Sequence, residues 1–298
     1  MRYWGLLILV LLLAGCGKTH KAVYEPSFST KAPTNIKAYV VGIHPLHNPR
    51  RLMEMYGPIL EYINATMPNV HFRIEASRNY EDFEKKLYSG HFDFAMPNPY
   101  QTVLSLKHGY HVFGKMGDDN NFRGVILVRK DSGIRTMNDL KGGKVAYPSP
   151  TALAGSMMPQ YYLHTHGIDV NHDIENVYVG SQESAIMNVY RGHAAAGGTW
   201  MVPWLEYSAE HANQASQLEV KWQTGSLPNN AWVVRQDVPA ALTSQFATAL
   251  FGLNNSVQGR KMLARIPISN FEPATNATYA PVRNFLVVFS NSVRQVEQ

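Results

Sequence analysis

IKAYVVGIHPLHNPRRLMEMYGPILEYINATMPNVHFRIEASRNYEDFEKKLYSGHFDFAM, residues 36–96, decides the fold of this chain. Its first eight residues are a short apolar run of strand type, and a helix-forming stretch follows over about 48–67. Asn48-Pro49 supplies the cap and first turn of that helix, whereas Pro58 is expected to interrupt or kink it. Residues 71–76 read as a second strand. Residues 80–87 then place Phe83 and Leu87 on one helical face and leave Glu84, Lys85 and Lys86 to solvent. Residues 92–96 form a third strand, 100–107 a helix and 110–115 a further strand. This β-α-β-α-β order predicts a largely parallel sheet with helices on its faces.

A second unit with the same grammar follows. Strands are expected at 124–128, 144–147, 177–179 and 194–198, with helices at 152–166, ended by Gly167, and at 183–191. A helix from Val202 leads to an extended run at 218–222, a strand at 232–235, and two closing helices over 240–263 and 282–293. The chain crosses between units near 121–123 and returns near 224–230. The expected division is therefore 36–122 with 231–298 as the first lobe and 123–230 as the second. Sheets of this kind bind ligands outside the carboxyl ends of their strands, so the cleft between lobes is the expected site.

The chain opens with MRYWGLLILVLLLAGC. Arg2 provides a positive start, and the apolar run over 5–13 is too short to span a bilayer. Leu13-Ala14-Gly15-Cys16 resembles a bacterial lipobox. Residues 1–15 are thus expected to be a signal peptide, with Cys16 the lipidated first residue of an exported, membrane-tethered protein. Residues 16–35, polar with two prolines and no periodicity, read as the tether. Cys16 is the single cysteine of the 298 residues, so no disulfide, thiolate nucleophile or cysteine metal site is expected. Apolar residues make up 45% and charged residues 16%, which suits a buried core. The net charge of +5 is scattered, without the concentrated basic stripe that nucleic acid requires.

Enzyme motifs are absent: there is no G-x-S-x-G, P-loop or H-E-x-x-H. His44/His47 and His164/His166 lack the clustering of a metal site, so no metal and no cofactor is expected. Asn64-Ala65-Thr66 and Asn276-Ala277-Thr278 match a glycosylation pattern that has no meaning in a bacterial lipoprotein.

Tyr147-Pro148-Ser149-Pro150-Thr151-Ala152 lies between a strand and a helix. The first N–H groups of a helix lack internal partners and carry the positive end of its dipole, so they suit an oxyanion. Ser149 and Thr151 add hydroxyls there, and small Ala152 lets backbone approach a ligand; a plain helix cap needs Ser or Thr equally. Tyr100 follows Asn98-Pro99 at a strand end, where packing is the more common reason for an aromatic residue. His44, also at a strand end, serves as a rim residue or as structure. Gln182 follows Ser181 at a further strand-to-helix turn and both donates and accepts.

GIHPLHNP (42–49), FDFAMPNPYQT (92–102), FRGVILVRKDSG (122–133), DLKGGKVAYPSPTALAGSMMPQYYL (139–163) and VGSQES (179–184) together resemble one family. It is the phosphonate-binding family of periplasmic ABC-transporter substrate-binding proteins, which also takes phosphite and related phosphorus oxyanions. The resemblance runs from about residue 36 to 289. It implies a two-lobed, hinge-closing α/β fold of the periplasmic-binding-protein type (type II-like), a small anionic phosphorus ligand, a permease partner in the inner membrane, a monomer and no catalysis. The 148–152 loop then holds the phosphorus-bound oxygens, and Asn98, Tyr100, His44 and Gln182 face the ligand. Relatives that take aminoalkyl phosphonates present carboxylates to the ammonium group. The corresponding stretches here, Gly198-Thr199-Trp200-Met201 and Leu227-Pro228-Asn229-Asn230-Ala231, contain none. Trp200 instead supplies an apolar wall, and Asn230 a neutral polar group. The alternative is a ligand-sensing module for a membrane kinase, which needs the same closure.

Overall fold

The computed structural model describes residues 36–297. The expected signal peptide, the lipidation of Cys16 and the tether lie outside the described residues. Among these, no helix is long and apolar enough to cross a membrane.

The elements form two sheets. The first takes β1 (Lys37–Ile43), β2 (Val70–Glu75), β3 (Phe94–Met96), β4 (Tyr110–Met116), β10 (Ala231–Arg235) and β11 (Phe271–Pro273), in the spatial order β11-β4-β10-β3-β1-β2. The second takes β5 (Arg123–Arg129), β6 (Lys144–Tyr147), β7 (Glu175–Tyr178), β8 (Ala196–Trp200) and β9 (Leu218–Ser226), in the order β7-β6-β8-β5-β9. β1 pairs in parallel with β2 and β3, and β6 with β7 and β8. β10 inserts between β3 and β4 and runs antiparallel to both. The strand expected at 232–235 thus ties the end of the chain into the first sheet.

Asparagine starts the first three helices. Asn48 accepts from the Arg51 N–H at 3.0 Å, Asn79 from Asp82 at 2.8 Å and Asn98 from Gln101 at 3.2 Å, each supplying an acceptor to an otherwise orphan donor. Each of these caps follows a strand end, so chemistry-bearing side chains gather at one edge of the sheet. The core beneath is aromatic: Phe94 stacks on Phe246 at 4.6 Å, and Phe72 and Trp232 meet Phe246 at 5.0 and 5.6 Å.

Three expectations need correction, the first being the closing helix over 240–263, which is two helices, Ala240–Phe251 and Val257–Leu263. Helix Pro49–Thr66 runs through Pro58 without a break. Proline removes the N–H that would bond to the Glu54 carbonyl, and Arg265 Nη1 donates to that carbonyl instead at 3.3 Å. The helix expected over 152–166 begins instead with a π-type turn, Leu153–Met157, before α-helix Met158–Thr165. Ala152 keeps an extended backbone before this turn. The turn lies against β5 and β8 because glycines face it: a Cβ on Gly124 would meet the Ala154 carbonyl at 2.7 Å, and one on Gly198 the Gly155 carbonyl at 2.4 Å.

Candidate functional site

The carboxyl ends of β1 and β3 face those of β6 and β8 across a small cavity. From the first-sheet half come His44, Tyr80, Asn98 and Asn230; from the second come Phe122, residues 152–155, Gln182 and Trp200. Six expected residues therefore meet here: His44, Asn98, Ala152, Gln182, Trp200 and Asn230. Phe122 lies at the crossover into the second sheet.

The donor side is the start of the π-type turn. Leu153, Ala154 and Gly155 occupy its first positions, where an N–H has no acceptor within the helix, and all three line the cavity. A Cβ on Gly155 would stand 2.7 Å from Gln182 Oε1 and 2.8 Å from Pro148 Cγ, so glycine alone fits there. Gln182 is buried; its Oε1 accepts from the Thr199 hydroxyl at 2.9 Å, and its Nε2 donates to the Tyr80 hydroxyl at 3.4 Å. Tyr80 thereby keeps its own hydrogen to offer. Burial pushes the ionisation of that hydroxyl well up, so it remains a donor at neutral pH.

The acceptor side is formed by His44 and Asn230. His44 Nδ1 lies 2.9 Å from the Met96 carbonyl, which only accepts, so Nδ1 carries the hydrogen and Nε2 holds the free lone pair. Burial lowers the His44 pKa to about 4, with smaller effects from the Met96 carbonyl, which raises it, and His47, which lowers it. Asn230 is fully buried; its Nδ2 turns to the Met116 thioether at 3.4 Å, and its Oδ1 has no donor. Phe122 and Trp200, ring centroids 5.1 Å apart, close one side with apolar surface. None of the lining residues is Asp, Glu, Lys or Arg.

The other expected residues sit behind this lining. Ser149 and Thr151 share a hydroxyl contact of 3.1 Å, and the Thr151 carbonyl accepts from Asn98 Nδ2 at 3.0 Å across the two halves. The Thr151 hydroxyl meets Glu84 rather than the cavity. Tyr100 turns to the opposite side of its helix, where it bonds the Glu297 backbone and burial raises its hydroxyl pKa to about 12. Asn229 is structural: its N–H donates to Asp119 at 2.9 Å, its Nδ2 to the Gly117 carbonyl at 2.8 Å, and its carbonyl accepts from Tyr279. Tyr80, Phe122 and residues 153–155 were not expected. Tyr80 opens a capped helix after β2, the kind of position that marked Asn98, and that signal was available in the sequence.

A second group of polar residues joins the halves beside the cavity. Arg51, on helix Pro49–Thr66, grips Glu210 of helix Met201–Glu210 with two contacts of 2.5 and 2.8 Å. His47 Nε2 lies 2.9 Å from buried Glu206 Oε2.

A family model described as "ABC transporter, phosphonate, periplasmic substrate-binding protein" matches residues 41–279. The chain belongs to this family. It is a family of transport proteins rather than enzymes, and it does not favour the sensing alternative. A probable ABC transporter phosphite binding protein, PhnD1 of Prochlorococcus marinus, is 25% identical over 128 residues, which cover 40% of this chain and 43% of that relative's length. The crystal structure of PhnD1 with methylphosphonate overlays with a TM-score of 0.79 at 18% identity, covering 87% of this chain and all of that one. A binding protein component of an ABC phosphonate transporter from Pseudomonas aeruginosa gives the same TM-score at 15% identity, over 87% of this chain and 88% of the other. At such identities these overlays establish the two-sheet α/β fold.

Proposed function

We propose that this chain captures a small phosphorus oxyanion, phosphite or a short alkylphosphonate, in the cavity between the sheets and delivers it to an ABC permease. The observation that carries this reading is the cavity's lining. Three helix-start N–H positions and the Tyr80 hydroxyl suit the oxygens, while Phe122 and Trp200 suit hydrogen or a short alkyl group on phosphorus. The strand membership supports two lobes, 36–122 with 231–298 and 123–230, that close on the ligand. No bond is made or broken; closure is the functional event. Cys16 carries the lipid that tethers the protein, as a monomer, to the periplasmic face of the membrane.

Calorimetric titration of the processed protein tests the ligand class. Phosphite, methylphosphonate and ethylphosphonate should each bind at one site, and silence across that panel would refute the reading. Mass spectrometry tests the tether: Cys16→Ser should remove the lipid mass, whereas an unmodified native start beyond Cys16 would refute lipidation.

A further inference from the structure

The cavity combines donors with acceptors in a way that bears on the protonation state of its ligand. A fully ionised oxyanion offers acceptors alone. Against it, His44 Nε2 and the partnerless Asn230 Oδ1 would present lone pair to lone pair, both buried. No cationic side chain lines the cavity to offset a second negative charge, which neutral donors alone would have to desolvate. A ligand that keeps one P–OH hydrogen removes both difficulties, since it carries a single charge and has a donor for this side of the cavity.

We propose that the site selects the singly protonated oxyanion, with His44 Nε2 accepting its P–OH hydrogen and Asn230 Oδ1 lying beside it as a second acceptor. This rests on the phosphorus-oxyanion reading above and sharpens it. The groups facing His44 agree with an acceptor role. His47 is the ionisable neighbour acting on it, Tyr80 of helix Tyr80–Tyr88 meets its ring at 6.3 Å, and β3 contributes the Met96 carbonyl. The low pKa of about 4 keeps the imidazole neutral in the free protein. Around Asn230, the Met116 thioether faces Nδ2. Asp119, paired with Lys115 at 2.8 Å, is spent on the Asn229 N–H. The specificity is against tetrahedral anions that carry no proton at neutral pH, sulfonates above all. A site whose buried groups await a ligand hydroxyl rejects the analogue that lacks it.

The test compares methylphosphonate with methanesulfonate, which have the same shape and, when the phosphonate is singly protonated, the same charge. Calorimetry in two buffers of different ionisation enthalpy is run well below and well above the second pKa of methylphosphonate. Methylphosphonate should bind at least about a hundredfold tighter than methanesulfonate. Binding should take up close to one proton above that pKa and none below it. His44→Phe, checked for an intact ligand-free melting transition, should lose this preference by tenfold or more and lose the proton uptake. Asn230→Leu provides a second variant should the first fail to fold. Equal binding of the two anions, or methylphosphonate bound above its second pKa without proton uptake, would overturn the inference and leave the ligand class standing. Binding of neither anion at either pH would instead remove the reading on which it rests.

Discussion

Under the closure proposed above, replacing Arg51 by methionine should weaken the join between the halves while leaving the cavity untouched. The guanidinium reaches from helix Pro49–Thr66 to helix Met201–Glu210, placing its two terminal nitrogens 2.5 and 2.8 Å from the Glu210 oxygens and one of them 3.9 Å from Glu206. Arg51 and Glu210 are partly exposed, with side chains 24% and 48% accessible, so most of their attraction is screened. An exposed pair of this kind contributes about 0.5–1 kcal/mol. Glu206 differs, because its side chain is 6% accessible and its remaining close side-chain neighbour in the variant is His47. Stripping a partner from a buried carboxylate costs more than the exposed pair, though here the second partner keeps it below the full penalty. Together these terms give about 1–2 kcal/mol. Because the contacts join residues from the two halves, the loss falls on closure, and the Kd for methylphosphonate should rise roughly 5- to 30-fold. Isothermal titration of wild type and variant measures this directly. Methionine keeps the aliphatic stem, so the ligand-free melting temperature should move little. An unchanged Kd with a lowered ligand-free melting temperature would refute the reasoning, since it would place the pair in the stability of the protein rather than in closure.

Gly155→Val should abolish binding, because the added carbons collide with Gln182 and Pro148 at under 3 Å and push the turn's N–H groups off the cavity; tight binding by this variant would remove the turn from the site. 2-Aminoethylphosphonate should bind at least about tenfold worse than ethylphosphonate, since no carboxylate lines the cavity to pair with its ammonium and Glu206 is held in the group with His47 and Arg51. Parallel calorimetric titrations decide it, and a preference for the amino compound would refute it. His44 should also shape acid stability. Its folded pKa of about 4 lies below the ordinary histidine value of 6.5, so between those values the unfolded chain binds the extra proton, and stability falls as pH drops. The effect is at most about 3 kcal/mol, and melting temperatures of wild type and His44→Phe over that window should converge toward low pH. Parallel curves would show that His44 does not titrate on unfolding.

The parallel arrangement of the first half was legible because each strand run is short, apolar and followed by a capped helix. Asn48 caps its helix in the structure as its position suggested, and Asn79 and Asn98 do the same for the next two. The place of β10 was not legible: AWVVR carries β-forming residues but nothing that selects β3 and β4 as neighbours, a choice made by contacts more than a hundred residues apart in sequence. His44 and Asn98 were readable as cavity-lining residues since both follow strand ends. The start of the turn proposed to hold the oxyanion was misplaced by one residue for a comparable reason. Local sequence starts a helix at the Ser-Pro-Thr-Ala stretch, yet the structure starts it at Leu153, where Gly124 and Gly198 leave room for the turn's backbone. Thr151, outside the turn, is then free to join Glu84 and Asn98 behind the cavity. Pro58 shows the same limit, because its tolerance depends on Arg265, over two hundred residues away.

Charge is placed in this protein by task. The cavity lining holds no Asp, Glu, Lys or Arg, and such groups stand in the contacts that join the halves: Arg51 with Glu210, and Glu206 near His47. Neutral donors and acceptors are directional, so they report where a ligand's hydrogens are, whereas a cation in the cavity would attract any tetrahedral anion regardless of its protons. Ion pairs between the halves, in turn, depend on the distance between two helices and carry no information about the ligand. Affinity through closure and selectivity through the lining therefore rest on separate residues. A substitution such as Arg51→Met should weaken methylphosphonate and methanesulfonate by the same factor, while one at His44 should change their ratio.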